Sequence, residues 1–382
     1  MYMKPASWNG QLRSGIHSAA ALCDAFSELA PRRAMLEEVT GAYPVCINSY
    51  IAGMLKGPGD PLWRQFVPDS AELEDTTGMI DPLAEDSHAP APNITHRYPN
   101  RVLFLVSNRC AVHCRFCTRK RKIGRSFDVT PDTIGQGIDY ISRSRQVRDV
   151  LLSGGDPLLL PTAQLADILG RLRAIPHVDI IRIGTRVPGV LPDRITARLA
   201  RTLARAHPLY VNTHFNHPAE ITPQARRACA LLAEAGIPLG CQTVLLKGVN
   251  DSGEIMRELM QALLGMRVRP YYLHHMDCTR GTAHFRTSLT TGLAIVGALR
   301  SHVSGMSVPH YVIDLPGGGG KVPLTPDYIQ AVDGNRLLIK NFRGDLYGYD
   351  ICPQDAETFR GLPEAGVRRA HTGNHINDKE TP

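Results

Sequence analysis

The sequence predicts an α/β protein. Six strand-then-helix units form its centre, a helical extension precedes them, and a short β-containing extension follows. Three observations carry that prediction. Short apolar runs recur through the middle of the chain. Each is followed by a stretch of helical periodicity. Polar and glycine-rich residues gather where the runs end, which is where parallel α/β sheets place their sites.

Residues 1 to about 96 read as helices joined by loops: SAAALCDAFSELA and CINSYIAGMLKG have helical periodicity, and DPLAEDSHAPAPN is a proline-rich linker. The strands follow as RVLFLVS (101–107), DVLLSGG (149–155), IIRIGTR (180–186), LYVNTHF (209–215), LGCQTVLL (239–246) and RPYYLHH (269–275). Helix-like stretches such as ITPQARRACALLAEAGI and IMRELMQALLGM separate them. Such alternation implies parallel strands with crossover helices, in an incomplete barrel or an open sheet. Asn108, Ser153, Gly154, Gly155, Arg186, His214, Gln242 and Asp277 fall at the strand ends. After HYVIDLPGGGGKVPL comes a hairpin, NRLLIKNFRGDLYGY, and a polar tail from about Leu362 that reads as disordered. The expected regions are therefore 1–96 (helical region and linker), 97–321 (partial barrel) and 322–382 (C-terminal extension).

With 382 residues, 43% of them hydrophobic, the chain can bury a sizeable core. A net charge of +7 suits a mildly basic enzyme surface and permits an anionic ligand or nucleic acid. The chain opens without an apolar signal segment, and no run approaches the roughly 20 apolar residues of a membrane span. A cytoplasmic setting with no membrane partner is expected, and there clustered cysteines suggest a metal before a disulfide.

Nine cysteines are present, and three stand together in NRCAVHCRFCTRKRK as Cys110, Cys114 and Cys117. Three thiolates can hold three irons of a [4Fe–4S] cluster, whereas electron-carrying clusters generally use four. A missing fourth ligand leaves one iron open to chemistry. Zinc is the alternative, but it wants a fourth Cys or His, and His113 is next to Cys114 in the chain. DLPGGGGK invites a phosphate-loop reading, which fails because Leu315 and Val322 occupy positions that need Gly and Ser or Thr. Four glycines instead make a pliant arm presenting Lys321.

The cysteine motif at the end of a first strand resembles the radical S-adenosylmethionine superfamily, a partial (βα)6 barrel. The local sequence resembles its lysine 2,3-aminomutase family. The matching segments are THRYPNRVLFLVSNRCAVHCRFCTRKRK, VLLSGGDPLLL, VNTHFNHPAEIT, GVNDSGE, RVRPYYLHHMDCTRGTAHFRT and DLPGGGGKVPL. The resemblance implies that the open iron chelates S-adenosylmethionine and that reduction of the sulfonium releases a 5′-deoxyadenosyl radical. Ser153, Gly154, Gly155 and Asp156 then serve the methionyl part of that cofactor, with glycines letting backbone N–H groups approach a ligand. His214 is implied near the adenosyl group. Lys321 is implied as the lysine that binds pyridoxal 5′-phosphate, with Arg97, Arg101 and Gln242 at its phosphate end. Arg119 matches the arginine that binds the substrate carboxylate, and Asp277 and Asp314 match two aspartates that hold a lysine ε-ammonium.

The implied reaction is a 1,2-amino shift from the α- to the β-carbon, most simply of L-lysine. L-arginine, L-ornithine or a protein-bound lysine would also satisfy two aspartates. Known members carry a zinc site between subunits; here Ser252 and a lone C-terminal Cys352 replace its cysteines, so no structural zinc is expected. A homo-oligomer and an electron donor such as flavodoxin or ferredoxin are the expected partners. Cys23, Cys46, Cys229, Cys241, Cys278 and Cys352 read as buried small hydrophobes. A non-catalytic metal or nucleic-acid binder using stretch 115–125 is the remaining alternative; it lacks interleaved aromatics, since Phe116 stands alone.

Overall fold

Alternation within the apolar runs decides the architecture. In DVLLSG, Val150 and Leu152 are fully buried while Asp149, Leu151 and Ser153 are only partly so. IIRIG repeats the pattern with Ile181 and Ile183. Such strands suit a curved sheet with helices on its apolar face and a polar interior on the other. A computed structural model describes residues 7–359 of the chain, apart from 125, 126, 128 and 301.

One sheet of nine strands runs in chain order. Its parallel part comprises β2 (Arg101–Ser107), β3 (Asp149–Gly154), β4 (Ile180–Gly184), β5 (Leu209–Thr213), β6 (Leu239–Val244), β7 (Val268–His274) and β8 (His310–Leu315). Two antiparallel strands flank it, β1 (Ile94–Tyr98) beside β2 and β9 (Gly320–Leu324) beside β8. The six expected strands are β2 to β7. HYVIDL adds a seventh parallel strand that the strand-then-helix rule misses, because a glycine turn follows it rather than a helix. ITHRY, which forms β1, has too little apolar signal to read as a strand.

The two edges of the sheet curl towards each other. The Lys321 N–H on β9 donates to Tyr98 Oη on β1 at 3.1 Å, and Arg97 on β1 reaches Asp314 on β8 at 3.1 Å. The result is a nearly closed barrel. Helices Pro131–Arg143, Thr162–Arg173, Ala197–Ala204, Pro223–Glu234, Gly253–Gly265 and Leu289–Leu299 alternate with the strands. Thr130, Thr196, Thr222, Ser252 and Ser288 cap their first turns by accepting a backbone N–H. Pro131 and Pro223 open two of them, where no N–H is required. Among the described residues no helix is long and apolar enough to cross a membrane.

The chain divides into two compact units, Met1–Leu324 and Thr325–Pro382. The expected 1–96 region thus shares the barrel's unit, and Leu22, Leu36, Ile51 and Phe66 from its helices are fully buried in the common core. The second unit is an antiparallel sheet of β10 (Ile329–Asp333), β11 (Arg336–Lys340) and β12 (Leu346–Asp350), followed by a short helix, Pro353–Thr358. The expected hairpin is β11–β12. Its turn is set by Asn341, whose side-chain oxygen accepts from the Arg343 and Asp345 N–H groups, and by Gly344 at φ +92°. The tail from Leu362 lies outside the described residues. Of the six cysteines expected to be buried, Cys23, Cys46, Cys229 and Cys241 are, whereas Cys278 and Cys352 stand in loops and are exposed.

Candidate active site

The loop after β2 carries Cys110, Cys114 and Cys117, and the glycines ending β3 fix its course. Gly154 has φ +125°, and a Cβ there would lie 2.1 Å from Ser107 O; a Cβ on Gly155 would lie 2.2 Å from Arg109 O. The Gly155 N–H donates to Ser107 O at 2.6 Å and the Asp156 N–H to Arg109 O at 2.7 Å. These two N–H groups therefore hold the cysteine loop, where the sequence reading had them approach a ligand. Asp156 braces the same corner. Its carboxylate accepts from Thr185 Oγ1 and the Arg186 N–H, both at 2.8 Å, and from the Leu158 N–H at 3.0 Å. Burial pushes its pKa up against the pull of those donors.

Positive charge after the cysteines is answered by an acidic strap, residues 72–86. Glu72 forms a bidentate pair with Arg115 (2.9 and 2.6 Å) and also accepts from Lys120 Nζ at 2.6 Å. Arg121 pairs with Asp81 and Asp86, and Lys122 with Asp86. Glu85 accepts from Arg119 Nε at 2.8 Å, and Arg119 Nη2 lies 2.7 Å from the same carboxylate oxygen. Burial alone would raise the Glu72 and Glu85 carboxyls; the adjoining cations override it and hold both below the usual range. Within residues 115–122 the basic side chains therefore pair with the protein's own acidic groups. The strap continues to the loop after β7, where Asp75 accepts from the Gly281, Thr282 and Ala283 N–H groups.

On the barrel's edge strands, Lys321 and Asp314 are register partners in the β8–β9 hairpin. Lys321 Nζ donates to Asp314 Oδ2, and Arg97 holds the other oxygen. The Arg97 and Arg101 guanidinium carbons lie 5.0 and 3.8 Å from the Tyr98 ring centroid. Asp277 is pushed up to about 7, first by burial and then by Asp314, while Lys321 and Arg97 pull it down. His274 is pushed down to about 3 by burial and by Lys321, so it is neutral, and its Nε2 meets Gln242 Oε1 at 3.1 Å. His214 is likewise held well below its usual pKa by burial and by Arg186, with Nε2 2.9 Å from Asn216 Oδ1.

A single cavity of about 540 Å³ is lined by all of these groups: Cys110, Cys114, Cys117, Arg119, Ser153, Gly154, Gly155, Asp156, His214, Gln242, Arg97, Arg101, Asp277, Asp314 and Lys321. That volume suits a small-molecule site. The thiols suit a cluster. Cys110 and Cys117 are pushed up by burial and then by the neighbouring thiols, a repulsion that a cationic centre relieves. Cys114 Sγ accepts from Arg186 Nη1 at 2.8 Å and Cys117 Sγ from the Arg119 N–H at 3.3 Å. Among the described residues no three His, Cys, Asp or Glu side chains are grouped as ligands of one metal ion; a cluster, binding each thiolate to a different iron, asks for wider spacing. Sequence reasoning missed Glu72, Glu85, Tyr98 and His274. The acidic run AELEDTTGMIDPLAED, set against the basic run after Cys114, was the available signal for the first two.

Residues 104–260 match the Radical SAM superfamily, and residues 296–374 match Lysine-2,3-aminomutase. The chain is 50% identical over 291 residues to L-lysine 2,3-aminomutase of Fusobacterium nucleatum, covering 76% of this chain and 68% of that one. It is 44% identical over 346 residues to L-lysine 2,3-aminomutase of Clostridium subterminale (90% and 83%). It is also 40% identical over 345 residues to glutamate 2,3-aminomutase of Clostridioides difficile (89% and 82%). A barrel of parallel strands, a three-cysteine loop at its first parallel strand, and these relationships converge: the chain belongs to the lysine 2,3-aminomutase family of radical S-adenosylmethionine enzymes and is an aminomutase, an isomerase.

Proposed function

We propose that this aminomutase moves the α-amino group of L-lysine to C3, with pyridoxal 5′-phosphate bound through Lys321. One observation carries the reading: a cavity wall that offers a guanidinium, Arg119, also offers two carboxylates, Asp277 and Asp314. An amino acid with a cationic tail satisfies both. Glutamate would set a second carboxylate against the aspartates, and a buried charge without a partner is costly.

The chain's own residues divide the work. Arg97 and Arg101, aligned on Tyr98, are suited to a phosphate. Neutral His274 donates to Gln242 Oε1 and so turns the Gln242 amide NH2 outward as a donor in the same cavity. Lys321 is anchored by its N–H to Tyr98 Oη, so its side chain pivots from a fixed point next to Asp314. Asp314, now shared by Lys321 and Arg97, gains an unmatched oxygen once Lys321 is engaged elsewhere, and a substrate ammonium is the natural replacement. The Cys110, Cys114 and Cys117 thiolates would hold the cluster. When bound, the cluster and S-adenosylmethionine supply the hydrogen-abstracting radical, and the pyridoxal ring delocalises the unpaired electron.

The test is anaerobic reconstitution with iron, sulfide and pyridoxal 5′-phosphate, then incubation with S-adenosylmethionine, reductant and L-lysine, L-arginine, L-ornithine or L-glutamate. β-Lysine is the expected major product. Turnover of glutamate without turnover of lysine would overturn the roles given to Asp277 and Asp314.

A further inference from the structure

We propose that Glu85 is a positioning residue for substrate recognition: it clamps the side of the Arg119 guanidinium so that the terminal nitrogens are presented to the substrate carboxylate. The inference rests on the reading of Arg119 just given and adds a residue from the strap to it.

The argument is a donor count. Arginine has five N–H groups in one plane. Glu85 takes the Nε–H, with Oε1 at 2.8 Å and Oε2 at 3.1 Å, and its Oε1 also lies 2.7 Å from Nη2, so the carboxylate occupies the Nε/Nη2 edge. Ser153 Oγ lies 3.3 Å from Nη1 and takes a second. Among the described residues at least one N–H remains on each terminal nitrogen, which is the requirement for a two-point contact with a second carboxylate. Rotation of the guanidinium would break the Glu85 contacts, so the pair fixes the plane as well as the position. The clamp is firm because Glu85 is itself only 4% exposed and its carboxyl is held ionised by Arg119. It is anchored on both flanks, by Asp81 and Asp86 pairing with Arg121 and by the Gly317 N–H donating to Pro82 O at 3.1 Å. Segment 81–86 therefore meets both the cysteine loop and the glycine arm of Lys321, and Arg119 extends the contact to Ser153 on β3.

The experiment compares two ligands, L-lysine and cadaverine (1,5-diaminopentane), which keeps both amines but has no carboxylate. Binding is measured by equilibrium dialysis to reconstituted holoenzyme without reductant, for wild type, E85Q, R119M and the double variant. We expect E85Q to weaken lysine by about tenfold, the size of one misdirected charge-assisted hydrogen bond, and to change cadaverine by less than about twofold. Cadaverine binding also reports that fold and cofactor site persist. In the R119M background, E85Q should have no further effect on lysine. Equal weakening of both ligands by E85Q, or unchanged lysine affinity in E85Q while R119M weakens it, would overturn the inference. Unchanged lysine affinity in R119M would instead overturn the carboxylate role of Arg119 itself, and the inference with it.

Discussion

Replacing Asp277 with asparagine should flatten the pH dependence of lysine affinity. The wild-type carboxyl is pushed up to about 7, by burial first and by Asp314 second, against the pull of Lys321 and Arg97. At that midpoint about a tenth of Asp277 is ionised at pH 6, about half at pH 7 and about nine tenths at pH 8. If only the carboxylate holds the substrate ammonium, the dissociation constant for lysine tightens about tenfold from pH 6 to pH 8. Engagement of Lys321 by a cofactor moves the midpoint upward only, because that ammonium lowers it. The Asp277→Asn variant keeps an acceptor oxygen but loses the charge, so its affinity should stay near the wild-type value at pH 6. Dialysis or KM across pH 6–8 reads the effect, and the difference between the two enzymes cancels titration of the substrate's own amines. The sign for stability runs the other way. The folded pKa lies above the ordinary carboxyl value, so the stabilisation from a neutral Asp277 is full below about pH 4 and is lost as pH rises through about 7. Asp277→Asn should therefore be no less stable than wild type at pH 8. A wild-type profile without slope, or the same slope in the variant, would refute the reasoning.

Two further outcomes follow from the geometry. Glu72→Gln leaves buried Arg115 and Lys120 without the one carboxylate that pairs with both, so we expect a loss of about 3 kcal/mol in denaturant unfolding; a loss below about 1 kcal/mol would refute the role of the strap as the clamp on the cysteine loop. Gly154→Ala forces a Cβ to within 2.1 Å of Ser107 O at a φ of +125°, so reconstituted protein should bind much less iron per chain while retaining helical circular dichroism. Full iron content would contradict the account of these glycines.

Legibility in the sequence differed by the kind of interaction. Strands β2 to β7 could be read because burying alternate side chains leaves a period-2 trace, as in Val150 and Leu152. The chemical residues could be read because Cys110, Cys114 and Cys117 are a fixed local spacing, and the flanking segments resemble one family. What could not be read was pairing across the chain. Glu85 and Arg119 are 34 residues apart and Arg97 and Asp314 are 217 apart, and an ion pair leaves no periodicity to mark it. The glycines ending β3 show the same limit from another side: the sequence reveals that a backbone comes close there, and only the fold reveals that the neighbour is Ser107 and Arg109.

The central claim is that a radical generated at the cysteine loop reaches C3 of a lysine held beside Lys321. Lysine carrying deuterium at C3 tests it directly. With reconstituted enzyme, S-adenosylmethionine and reductant, deuterium should appear in recovered 5′-deoxyadenosine and at C2 of β-lysine. Product formed with no label in either place, or no amino shift while S-adenosylmethionine is cleaved, would contradict the account.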